Sequence, residues 1–140
     1  MTGPQGVVRL RRLDTVLPPT RILLLDETDQ SGFDGLAAAS ALFGHGRLAL
    51  YYVDDRGAVS QEAQRLAVDV VVVDVDNEVN PKETLANIVG DDPDLRVVVL
   101  TEGHPAVIDG ALAVGASGCL LKALPASELV AHLAQFAQGR

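Results

Sequence analysis

Five residues in this chain stand where they could do chemistry together. Asp26 and Glu27 close the apolar run "RILLLDE", Asp74 closes "DVVVVD", Thr101 closes "LRVVVLT" and Lys122 closes "GCLLK". An aspartate at the end of a run as apolar as residues 70–73 is a turn residue, a metal ligand or a nucleophile. If the first and third runs are neighbours, three carboxylates crowd one crevice, and each raises the pKa of the others. A hard divalent cation relieves that repulsion, and Mg²⁺ takes a few carboxylates together with water and phosphate oxygens. Lys122 adds an ammonium beside Asp74, and Thr101 adds a hydroxyl donor. Carboxylate, cation site, ammonium and hydroxyl together suit phosphoryl transfer to Asp74, a chemistry of positioning and charge neutralisation.

Taken singly, each residue has a plainer role. Acids at strand ends form turns and cap helices. A threonine there enters the next helix, and a lysine there is solvated. The joint occurrence carries the reading, each group at the same end of its own run.

The elements that must position these groups alternate along the chain. Strands are expected at 21–26, 47–55, 69–74, 95–101 and 118–122. Helices are expected at 31–43, 60–67, 81–90, 105–116 and 125–138. Gly44 and Gly90 are read as helix stops, Ser60 as an N-cap, and Pro81 and Pro125 as first-turn prolines. The valine runs lack polar alternation, as in strands buried on both faces. Strand–helix alternation implies an α/β fold, a doubly wound parallel five-stranded sheet with helices on both faces. Ligands bind such sheets outside the carboxyl ends of the strands, where all five groups fall.

Residues 1–20 are set apart by Arg9, Arg11, Arg12 and the Pro18-Pro19 break. They are read as an N-terminal extension, a flexible or docking arm, before a domain over 21–140. Val7, Leu10, Leu13 and Leu17 would share one face of a short helix there.

The 140 residues are one domain's length, and 48% of them are hydrophobic, enough for a core. That core must be aliphatic, because there are two Tyr, three Phe and no Trp. A net charge of −8 argues against direct nucleic-acid binding. The single cysteine, Cys119, excludes an internal disulfide, and no Cys/His spacing resembles a zinc site. No run approaches the about 18–20 apolar residues of a membrane span, and the N-terminus lacks a signal peptide's apolar core. A cytoplasmic location with no membrane contact is the expectation.

In order, "LLLDE", "VVVVD", "VVVLT" and "GASGCLLK" resemble the acidic pair, phosphoacceptor strand, hydroxyl strand and lysine strand of response-regulator receiver domains, over residues 21–138. "GASGCLLKALPASELVAHL" is most similar to receivers that precede helix-turn-helix outputs. The resemblance implies a flavodoxin/CheY-like (βα)₅ fold with strand order 2-1-3-4-5. It implies that Asp74 accepts a phosphoryl group from the phosphohistidine of a histidine kinase or phosphotransfer protein. It implies Mg²⁺ on Asp26, Glu27, Asp74 and the backbone carbonyl of Asp76. It gives Thr101 the phosphoryl oxygens in the active state, with Lys122 paired to Asp74 or its phosphate. Thr101 and Cys119 fall at the two switch positions. A homodimer through the fourth helix, fifth strand and fifth helix, or through the last helix, is expected.

Three features depart from that pattern. The loop "VDNEVNPKE" has no proline before Pro81. Glu102 stands where a small residue is usual, so Asp76, Glu78 and Glu102 could add negative charge around the pocket. Cys119 stands where an aromatic ring is usual and cannot fill its volume; its plain role is a small buried thiol. These departures keep a second reading open, a degenerate receiver acting as a phosphorylation-independent interaction module. A third reading comes from "DVD" at 74–76, which resembles the start of haloacid-dehalogenase-type phosphatases. There the second Asp is a general acid/base, but Asp26 and Glu27 would then have no role.

Overall fold

The computed structural model describes residues 19–26, 33–43, 47–78 and 80–138. Glu27, Gly44 and the arm's apolar face lie outside the described residues. Five strands form the sheet: β1 (Thr20–Leu25), β2 (Leu48–Val53), β3 (Val70–Asp74), β4 (Val97–Thr101) and β5 (Gly118–Leu121). Every pairing is parallel, as the alternation predicts, and the order is β2-β1-β3-β4-β5, as the receiver resemblance implies. The helices are α1 (Asp34–Phe43), α2 (Val59–Leu66), α3 (Pro81–Asp91), α4 (Pro105–Ala113) and α5 (Ala126–Gln138).

The valine runs explain the two-sided core. Successive strand side chains point to opposite faces, so a run with no polar alternation needs cover on both. Leu23, Leu25, Val71, Val73, Val97 and Val99 face one way, onto Val59 and Ala63 of α2, Leu85 and Ile88 of α3, and Ala111 of α4. Ile22, Leu24, Val70, Val72, Val98 and Leu100 face the other, onto Leu36 of α1 and Leu129 and Leu133 of α5. All five residues of β3 and of β4 are buried.

Several boundaries move by a few residues. Ser60 is not a cap: a 3₁₀ turn at Arg56–Ala58 precedes α2, and the Asp55 carboxylate caps that turn by accepting from the Gly57 N–H. Gly90 is not a stop, since α3 runs through it to Asp91. Pro81 opens α3 as expected, with the Asn80 side chain accepting from the Glu83 N–H. Among the described residues no helix is long and apolar enough to cross a membrane.

Candidate functional site

Register places the strand-end groups. Leu25 pairs with Val73, so Asp26 and Asp74 continue side by side at the carboxyl edge. Asp74 pairs with Leu100, so Thr101 lies one residue further on. Thr101 pairs with Leu121, and the Lys122 N–H donates to the Thr101 carbonyl at 2.9 Å. Asp26, Asp74, Thr101 and Lys122 therefore share one edge of the sheet. The Asp74 side chain is 4% exposed and Thr101 is fully buried.

Lys122 joins two carboxylates. Its Nζ lies 2.9 Å from Asp74 Oδ1 and 3.0 Å from Asp76 Oδ2. The second contact exists because the chain leaves β3 in a tight 3₁₀ turn, Val75–Asn77. Asp74 caps that turn, its Oδ1 accepting from the Asp76 N–H at 3.1 Å. The turn sends the Asp76 carboxylate back over the end of β4. There Oδ1 accepts from the Thr101 hydroxyl at 3.0 Å, and Oδ2 accepts from the Glu102 N–H at 2.8 Å. Gly103, at φ +110°, is in the left-handed region that favours glycine, and its N–H donates to Thr101 Oγ1 at 3.3 Å.

These contacts set the ionisation of the cluster. Burial works against the charged form of Asp76. Hydrogen bonds from Lys122, Thr101 and the Glu102 N–H, with the Lys122 charge, outweigh it and hold the carboxyl below its usual value. Burial likewise works against charged Lys122, but its bonds to and attraction by Asp74 and Asp76 raise its pKa. A carboxyl whose pKa is lowered on folding contributes stability above its unfolded pKa, about 3.9, and loses it as pH falls through the folded value. Urea midpoints are therefore expected to drop below about pH 4, and Asp76→Asn to flatten that drop. An unchanged pH profile in the variant would contradict the pairing.

Of the three acids expected around the pocket, one is there. Glu78 turns away: its carboxylate accepts from the Thr84 hydroxyl at 2.8 Å, 3.9 Å from Arg56 Nη2, with its side chain 6% exposed. Arg56 Nη1 also donates to Thr84 Oγ1 at 3.3 Å. Glu102 is exposed and brings its backbone N–H to the site. Cys119 packs partly buried against the core, and burial pushes its thiol pKa up, as for an unreactive thiol. His104 caps α4 by position only, without a side-chain bond.

The sequence suggests charge from Asp76 near the pocket and assigns its carbonyl to a cation, but it does not show that the carboxylate binds Thr101, the Glu102 N–H and Lys122 together. The signal for that carboxylate is the Asp-x-Asp spacing at 74–76, the same spacing that resembles the phosphatase motif. For a cation, Asp26, Asp74 and the Asp76 carbonyl are hard oxygen donors. Among the described residues no three His, Cys, Asp or Glu side chains group closely enough to hold a metal. Mg²⁺ asks for less, one or two carboxylates with waters, so the donor set fits it, and Glu27 adjoins Asp26 in sequence.

No protein-family model matches the chain, and no curated protein matches its sequence. Solved structures do match. The signal receiver domain of NarL from Mycobacterium tuberculosis is 23% identical, with 89% of this chain and 100% of that one covered at a TM-score of 0.70. A LuxR-family two-component response regulator from Aurantimonas sp. SI85-9A1 is 23% identical, with 87% of each chain covered and a TM-score of 0.70. The chemotaxis protein CheY4 of Vibrio cholerae is 20% identical, with 84% of this chain and 98% of that one covered at 0.65. The chain has the fold of these receiver domains.

Proposed function

We propose that this chain, having the receiver fold, is a two-component receiver that takes a phosphoryl group on Asp74 and signals through a protein surface. One observation supports this above the others: a buried carboxylate at the carboxyl edge of β3 has an ammonium at 2.9 Å, and a strand-end hydroxyl lies within the same cluster. In the reaction an Asp74 carboxylate oxygen attacks the phosphorus of a phosphohistidine from a histidine kinase or phosphotransfer protein. The O–P bond forms as the P–N bond breaks, and the departing imidazole keeps the electron pair and takes a proton. Lys122 balances charge on the acceptor, and the Thr101 hydroxyl donates to a phosphoryl oxygen. Asp26, Glu27, Asp74 and the Asp76 carbonyl would hold Mg²⁺, whose charge offsets that of the phosphoryl oxygens. Catalysis is confined to the chain's own phosphorylation and dephosphorylation.

The partners in this reading are the kinase or phosphotransfer protein and a second copy of the chain, in the cytoplasm, within transcription regulation. Leu112 on α4 and Leu121 on β5, 46% and 39% exposed, favour the α4–β5–α5 surface for self-association. The test is incubation with Mg²⁺ and acetyl phosphate, read by intact mass and peptide mapping. An added phosphoryl group on the peptide containing Asp74, abolished by chelation of the metal, is expected. No adduct, under conditions that label a control receiver, would overturn the reading. A second reading, a phosphorylation-independent interaction module, is favoured by the small Cys119 at the switch position.

A further inference from the structure

Asp76 has more partners than an ion pair needs. Its carboxylate gathers a hydroxyl from the end of β4, a backbone N–H from the residue after it, and an ammonium from beyond β5. Those donors come from separate stretches of chain and converge on one oxyanion next to Asp74. One oxygen takes the hydroxyl; the other takes the amide and the ammonium. The same ammonium also serves Asp74 Oδ1. Donors that satisfy a carboxylate this fully satisfy the outer oxygens of a phosphoryl group equally well. Two anions cannot share them. A phosphoryl group on Asp74 brings about −1.5 to −2 charges into the space where Asp76 already uses Thr101, Glu102 N–H and Lys122.

We infer that Asp76 is the resident occupant of the anion pocket beside Asp74. Its side chain holds Thr101, the Glu102 amide and Lys122 converged with no phosphoryl group present, and it must swing out before Asp74 is phosphorylated. The occupancy stands on the geometry; its kinetic consequence rests on the reading of Asp74 as the acceptor. Release is local, because Asp76 sits in a turn of only three residues and is itself exposed to solvent along part of its surface. The ligand class that competes with it is a phosphoryl group or a tetrahedral analogue such as beryllium fluoride. Asp76 is thus a gating residue that acts on the acceptor's surroundings.

The test uses Asp76→Ala and Asp76→Asn in the whole chain, both of which keep the backbone carbonyl. Far-UV circular dichroism checks that they fold. Labelling by acetyl phosphate with Mg²⁺ is timed by intact mass, and the Glu102 amide is followed by ¹H–¹⁵N NMR. Expected are labelling about tenfold or more faster in Asp76→Ala, as the competent fraction rises, and an upfield move of the Glu102 amide. Asp76→Asn should fall between it and wild type, since its side-chain oxygen still accepts from Thr101 or Glu102. Equal acceleration in both variants would assign the effect to charge alone and overturn the occupancy, as would a Glu102 amide that does not move. Labelling no faster than wild type in Asp76→Ala overturns the gate and leaves Asp74 as acceptor. If no form labels, the acceptor reading fails, and the amide alone decides the occupancy, upheld by a shift and overturned by none.

Discussion

A Lys122→Met chain is expected to label more slowly by on the order of 10²-fold or more and to lose about 1–3 kcal/mol of stability. Methionine keeps much of the stem volume and removes the charge together with its N–H donors. In wild type a single ammonium lies 2.9 Å from Asp74 and 3.0 Å from Asp76, and both carboxylates are mostly covered, at 4% and 19% exposure. Without it, two like charges face each other with less to offset their desolvation than the ammonium provided. The deficit should shrink in acid, because protonating either carboxyl removes the repulsion, and at high Mg²⁺, because a cation replaces the ammonium. Urea unfolding at pH 7 and near pH 4.5, each with and without Mg²⁺, reads the stability. A variant that unfolds like wild type at both pH values, and labels within about threefold of it, would contradict this account of the cluster.

Gly118→Ala is expected to cost about 1–3 kcal/mol, a large effect for one methyl group. Gly118 lies buried in β5 with the Phe136 ring of α5 directly over it, so an added Cβ would collide with Phe136 Cε1 and Cζ. The ring has little freedom to withdraw, since Arg96 Nη1 donates to the Phe136 carbonyl at 2.8 Å and ties down that end of the helix. Phe136→Leu should itself destabilise by lost packing, but the double variant should be less impaired than the sum. A coupling of about 1 kcal/mol in a double-mutant cycle, read from urea midpoints, is the expected result. Simple additivity would mean that the strand and helix separate without the ring.

The sheet was legible because its signal is collective. Four consecutive valines before Asp74, and three before Leu100 and Thr101, admit few arrangements but a strand covered on both faces. Parallel register then carries Asp26, Asp74, Thr101 and Lys122 to one edge without further information. The turn after β3 was illegible for the opposite reason. Where Asp76 points depends on a three-residue 3₁₀ turn closed by Asp74's own carboxylate, and no periodicity marks such a turn. Glu78 looked like its neighbours in sequence, yet Thr84 and Arg56, from other elements, draw it elsewhere. Ser60 has the usual type for a cap, but the extra turn begun at Asp55 moved the helix start past the rule.

Both tyrosines of the chain lie together on β2, at one edge of the sheet, and there is no tryptophan. Tyr51 packs against the core, whereas Tyr52 is 54% exposed. Intrinsic fluorescence therefore watches one margin of the molecule and is blind to the valine strands that carry Asp74 and Thr101. An edge that loosens first would register as a complete optical transition while the centre of the sheet was still intact. Amide exchange at Val72 and Val99, set beside the tyrosine signal, would separate the two events.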